Sequence, residues 1–220
     1  MLKRLATLCV FALLTATAAQ AQEGTTEPYK VSVWARVLFG PDGKAAEYAL
    51  FEPAKYPTKF AENVLARVAR ASVPPPQVDG RPVTLRSGVE LRFVITPAAD
   101  GSATVRLDGV AMGPMPTKRY LASYPKDVGR TGGWEGDASA VCRIGIEGRC
   151  TGIEVSALPG MPDSVRRFMR ASLERWEFEP QQLDGKPIEG EYKLAVRFNT
   201  YDNMPEDFRE DKFLRLLRGR

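Results

Sequence analysis

Histidine is absent from all 220 residues, which removes the side chain most used for proton transfer near neutral pH and the commonest metal ligand. Histidine-activated serines and histidine-ligated metal sites are excluded with it. Ser139, Ser156 and Ser164 have no histidine to activate them, nothing marks a lysine-activated serine, and no paired-carboxylate spacing stands out among the acidic residues. The chain therefore reads as non-catalytic, without cofactor or metal. A large charge of one sign is missing too. Lysine and arginine total 31 against 27 acidic residues, a net of +4, which argues against nucleic acid as a partner. Arg166, Arg167, Arg170 and Arg175 fall at helical spacing and read as a solvated face. Beyond the first residues, no apolar stretch approaches the roughly 20 residues a spanning helix requires.

What is present begins with a leader. Lys3 and Arg4 precede an apolar run from Leu5 to Leu14, and Ala19-Gln20-Ala21 closes it, the pattern of a bacterial secretory signal over residues 1–21. Cys9 is lost with it. Removing Lys3 and Arg4 leaves 29 basic against 27 acidic residues, a net of +2. Residues 22–29 read as a flexible N-terminus. Cys142 and Cys150 then remain in an oxidising compartment, which favours a disulfide. Register opposes it: if the hairpin turn spans Gly145 to Gly148, Cys150 faces Arg143, and a bridge to Cys142 needs a bulge near Gly148. As a pair alone they make a poor metal or redox site.

The chain also repeats itself. "PPQVDGRPV" from Pro75 returns as "PQQLDGKPI" from Pro180, an offset of 105 residues. At that offset Gly43–Phe93 aligns without a gap on Gly148–Phe198, matching Pro57 with Pro162, Ala66 with Ala171, Asp79 with Asp184, Gly80 with Gly185 and Phe93 with Phe198. Each copy has a β-rich run, a turn (Gly40-Pro41-Asp42-Gly43 in the first), a return strand and a helix. Phe60, Val64, Leu65 and Val68 form one helical stripe, and Val165, Phe168, Met169, Leu173 and Trp176 form the other. Pro180 stops the second helix, Asp184-Gly185 turns, and Pro187 re-enters a strand where no donor is needed. Tyr192, Leu194, Val196 and Phe198 then alternate with Lys193, Ala195 and Arg197.

The expected fold is α+β: two tandem strand-strand-helix-strand modules, each an antiparallel sheet with a helix on one face. The first occupies residues 30–119, with an extra hairpin turning at Asp100-Gly101. The second occupies 137–201. Residues 120–136, with four glycines, read as a linker, and 202–220 as a short amphipathic helix carrying Phe208, Phe213, Leu214, Leu216 and Leu217.

Across Val141 to Phe198 the second copy resembles the C-terminal domain of TonB-family proteins. The resemblance rests on Gly148, Ile153-x-Val155-Ser156, a helix ending at Leu173, Trp176-x-Phe178-x-Pro180, Gly185-Lys186-Pro187-Ile188 and a strand closing at Phe198. The first copy fits the outline only, with Ala71 and Val73 where the second has Trp176 and Phe178. The resemblance implies a periplasmic protein that binds an extended segment of an outer-membrane receptor or other envelope protein by strand addition. The edge would be the strand of Tyr192, Leu194, Val196 and Phe198, while Trp176, Phe178, Pro180, Gly185 and Pro187 are structural. A membrane-anchored energy transducer would need an uncleaved N-terminal helix and a proline-rich rod, and Gln22–Lys30 holds one proline, Pro28. The alternatives are a structural envelope protein whose modules pack together or dimerise, and the transducer itself.

Overall fold

The computed structural model describes residues 28–198, apart from 99, 101, 126, 129–132 and 157. The leader (1–21), most of the N-terminal stretch and the expected C-terminal helix (202–220) lie outside the described residues. The chain runs β1 (Tyr29–Phe39), β2 (Ala45–Leu50), α1 (Thr58–Val68), β3 (Gln77–Val78), β4 (Arg81–Pro82), β5 (Leu85–Pro97), β6 (Ala103–Gly113) and β7 (Met115–Lys118). It continues with β8 (Gly136–Ile144), β9 (Cys150–Val155), α2 (Asp163–Leu173), β10 (Glu177–Glu179), β11 (Gln182–Leu183), β12 (Lys186–Pro187) and β13 (Gly190–Phe198).

The expected α+β class is overturned. The described chain is mostly β, with curled antiparallel sheets and only two α-helices of 11 residues each. Two like strand-strand-helix-strand modules do not form, because the sheets divide the strands differently from the repeat. One sheet has the order β12-β11-β5-β1-β2, with β6 also paired to β5; another is β13-β8-β9. The hairpin at Asp184-Gly185 thus joins the sheet of the first half, Gln182 opposite Arg86 and Leu183 opposite Leu85. Its counterpart at Asp79-Gly80 pairs only with itself. β10 lies on β7, again across the halves.

A physical reason is visible on β1. Val33-Trp34-Ala35 breaks strict alternation, and all three are buried. Val33 and Ala35 face α1 with Val37 and Phe39, while Trp34 covers the opposite face of the sheet, where its ring meets Tyr192 at 6.3 Å between centroids. Gly88 sits beneath it, with no room for a Cβ between Trp34 and Met115. Both faces of this sheet are therefore used, and the second half is needed to cover one of them.

Polar contacts fasten the same seam. Asp184 Oδ1 accepts from the Thr84 amide at 2.8 Å and from its hydroxyl at 3.0 Å, while the Asp184 amide donates to the Thr84 carbonyl at 3.0 Å. Gln181 Nε2 donates to the buried Ser87 hydroxyl at 3.0 Å, and Arg36 pairs with Glu179.

A second core forms between α2 and β13-β8-β9, from Phe168, Met169, Leu173, Trp176, Phe178, Leu194, Val196 and Phe198. The stretch expected to be a linker helps to close it. Val128 is buried there, Tyr124 packs on Phe168 and Phe198, and Trp134 lies against Phe198. Ser172 Oγ accepts the Ala122 amide at 3.1 Å. The described part of 120–136 is thus a cover for the core, where burial outweighs the looseness suggested by its glycines.

Candidate strand-binding edge

β13 is the terminal strand of its sheet, bonded along its length to β8, with Gly190 opposite Ile144 and Phe198 opposite Gly136. The direction of its main-chain groups follows from one hydrogen bond on the far side of β8. The Ser139 carbonyl accepts from Ser156 at 2.8 Å, so odd-numbered residues of β8 address β9 and even-numbered ones address β13. Antiparallel pairing then makes Tyr192, Leu194, Val196 and Phe198 the residues bonded to β8. Lys193 and Ala195 turn their N–H and C=O groups to the sheet's outer edge.

The four residues expected to carry partner binding are therefore placed differently from the groups that would do it. Leu194, Val196 and Phe198 are buried, and Tyr192 is half-buried against Trp34, Trp176 and Phe178. Their side chains make the core. Among the described residues β13 is the last strand of its sheet, and its outward main-chain groups belong to the exposed residues between those four.

Of the residues expected to be structural, Trp176 and Phe178 lie in the core, whereas Gly185 and Pro187 are exposed in the β11–β12 hairpin. Trp176 is 1% exposed and donates from Nε1 to the Tyr120 carbonyl at 2.7 Å. Phe178 is buried beside it, ring centroids 6.0 Å apart. Pro180 follows β10, Gly185 supplies φ of +77° in the β11–β12 turn, and Pro187 sits in β12. Sequence reading singled out Gly148 but gave it no packing role, and the structure supplies one. A Cβ there would lie 2.0 Å from the Phe178 carbonyl oxygen, and the Phe178 amide donates back to the Gly148 carbonyl at 2.9 Å. Gly43 and Val73 repeat this arrangement, with a Cβ 2.1 Å from the Val73 oxygen. The signal was Gly43 and Gly148 sharing the repeat offset.

Cys142 and Cys150 are bridged, Cα atoms 5.6 Å apart. The register shift that allows it falls at Thr151: Arg143 pairs with Gly152 and Ile144 with Cys150. The same shift occurs in the first hairpin, where Leu38 pairs with Glu47 and Phe39 with Ala45 and no cysteine is present. The bulge belongs to the hairpin, and the bridge uses it. Opening so short a loop by replacing both cysteines with alanine is expected to cost about 2–3 kcal/mol on the chain-entropy model, read as a lowered urea midpoint.

Charged groups around the edge are engaged locally. Glu177 is held below its ordinary carboxylate pKa by its hydrogen bond from Lys118 and by the nearby Arg149 charge, which tie β10 to β7 and to the β8–β9 turn. Of the basic residues on α2, Arg166 pairs with Asp163, and Arg175 just beyond the helix lies over the Tyr120 ring. Among the described residues no group of His, Cys, Asp and Glu has metal-site geometry, and no helix is long and apolar enough to cross a membrane.

Set beside family models, curated proteins and solved structures, the chain matches none of them. The resemblance to TonB C-terminal domains stands on the residues quoted above.

Proposed function

We propose that this is a non-catalytic periplasmic protein that binds an extended segment of an envelope or outer-membrane protein by strand addition along β13. The observation that carries the reading is inside the chain. At the offset of 105, β5 corresponds to β13, and the outer side of β5 is taken by β6 in antiparallel register from Gly88–Gly113 to Pro97–Ala103. Gly88 and Glu90 of β5 bond to β6, and they correspond to Lys193 and Ala195, whose groups point outward. The first half thus contains, as part of its own fold, the pairing proposed for the second. Main-chain hydrogen bonds supply affinity in this mode, and the exposed face of the strand supplies selectivity.

The test is amide hydrogen exchange on the protein recovered from the periplasm, with Gln22 expected as its first residue. It is measured with and without synthetic N-terminal segments of outer-membrane receptors. A bound segment is expected to slow exchange at Lys193 and Ala195. Ala195→Pro removes an outward N–H that the β8 ladder does not use, so the fold is expected to survive while binding falls about tenfold or more. Binding that is unchanged in this variant, or no protection from any segment, overturns the proposal.

A second reading, a structural envelope protein whose halves pack on one another or dimerise, is favoured by the strands the halves share across β5–β11 and β7–β10. It predicts edge amides already protected in the protein without any added segment.

A further inference from the structure

A second docking place lies on the first half, and a different set of residues builds it. Val64 and Val68 of α1 share a core with residues of β1 and β5, and beside them lies a groove of about 510 Å³ whose walls include Phe60, Val64, Phe93 and Val105. Arg67 and Arg70 stand along its helical wall. Neither arginine makes an ion pair among the described residues, and the bond from Arg70 Nε, just past the end of α1, goes back to the Ala66 carbonyl in that helix. Two guanidinium groups at the rim of an apolar trough favour an apolar occupant that also carries carboxylates.

The backbone of β6 supplies the rest. The Ala98 amide donates to the Ser102 carbonyl at 2.8 Å, so Thr104 and Arg106 address β5 while Val105 and Leu107 turn their main-chain groups outward. Beyond the bulge at Asp108 the same holds for Val110 and Met112. These residues also point their side chains to the α1 side of the sheet, opposite Ile95, Phe93, Leu91 and Val89. Val105, Val110 and Met112 are 39%, 54% and 40% exposed. A strand added to this edge would set every second side chain in the groove, beside Arg67 and Arg70.

We infer that the β6 edge and the α1 groove together bind an extended polypeptide whose alternate residues are apolar and acidic. β13 approaches β6 near Gly113, where an added Cβ would lie 3.4 Å from the Glu191 carbonyl oxygen, but the groove and the outward groups of Val105 and Leu107 are other residues, so Val105→Pro and Ala195→Pro test the two readings separately. The probe is a fluorescent peptide that alternates threonine with valine and glutamate, compared with its counterpart carrying lysine for glutamate, by anisotropy at low and high salt. The full chain is expected to bind the glutamate peptide at least about tenfold more tightly than the lysine peptide, and less tightly as salt rises. The double change Arg67→Glu and Arg70→Glu, on exposed positions that leave the core untouched, is expected to invert that preference. Val105→Pro, which removes an outward N–H, should abolish binding of either peptide, whereas Ala195→Pro should leave it intact.

Equal binding of the two peptides, or none at millimolar concentration in low salt, overturns the inference. It is also overturned if light scattering shows the chain pairing with a second copy through this edge, or if the peptide binds only after residues 202–220 are removed. In those cases the occupant is the chain itself.

Discussion

Trp176→Ala is expected to lower stability by about 3–5 kcal/mol, the range for removing a fully buried large aromatic. Three losses combine at this position. The indole fills the second core at 1% exposure, with Phe178 and Tyr192 packed on it at 6.0 and 5.8 Å between centroids. Its Nε1–H is also the donor to the Tyr120 carbonyl at 2.7 Å, so truncation leaves that oxygen to find another partner. That bond fixes the beginning of the 120–136 segment, which carries Tyr124 and Val128 over the same core. Domains are stable by only about 5–15 kcal/mol, so the change consumes a large share of the total. Urea denaturation followed by Trp134 and Trp34 fluorescence measures it. Trp176→Phe restores most of the packing but not the donor, and is expected to fall between the two. A loss below about 1 kcal/mol for the alanine variant would mean the indole is not the centre of this core.

The second large effect is at Gly148, and its size is best shown by contrast. Gly148 and Gly185 hold almost the same left-handed backbone, φ of +72° and +77°. Around Gly185 an added Cβ would meet nothing within 4 Å, whereas at Gly148 it would lie 2.0 Å from the Phe178 carbonyl oxygen and 3.1 Å from its carbon. Gly185→Ala should therefore cost only the backbone strain, about 1–2 kcal/mol. Gly148→Ala adds the displacement of β10 itself at Phe178, and is expected to reach at least about 3 kcal/mol. Gly43 and Gly80 offer the same pair in the first half, with a clash of 2.1 Å at one and open space at the other. If all four alanine variants lose similar stability, the contact between each hairpin turn and the chain following its helix contributes little.

These glycines mark how far the chain could be read without its fold. The repeat offset is kept locally: α1 and α2 begin and end 105 residues apart, after Pro57 and Pro162. Asp79-Gly80 and Asp184-Gly185 both adopt positive φ at the two turn residues, as a two-residue hairpin turn demands. Alternation from Tyr192 to Phe198 separated the two faces of β13, because one-sided burial shows in the order of side chains, but it assigned to partner binding the residues Leu194, Val196 and Phe198 that are buried. The disulfide was open on register, and a bulge at Thr151 decided it.

The sequence by itself determined the short-range features: two helical stripes, the turns, the strand periods and the absence of histidine chemistry. Those depend on neighbouring residues, whose propensities and steric limits are written in their identities. Only the tertiary structure decided which strands share a sheet. It sent the Asp184 hairpin to β5, placed β6 where the second half keeps an edge, turned Trp34 toward Tyr192, and made a mostly β architecture from segments that read as two α+β modules. The reason is that strand pairing uses main-chain N–H and C=O groups common to nearly every residue. Long-range packing therefore chooses the partner, and no local stretch of sequence records that choice.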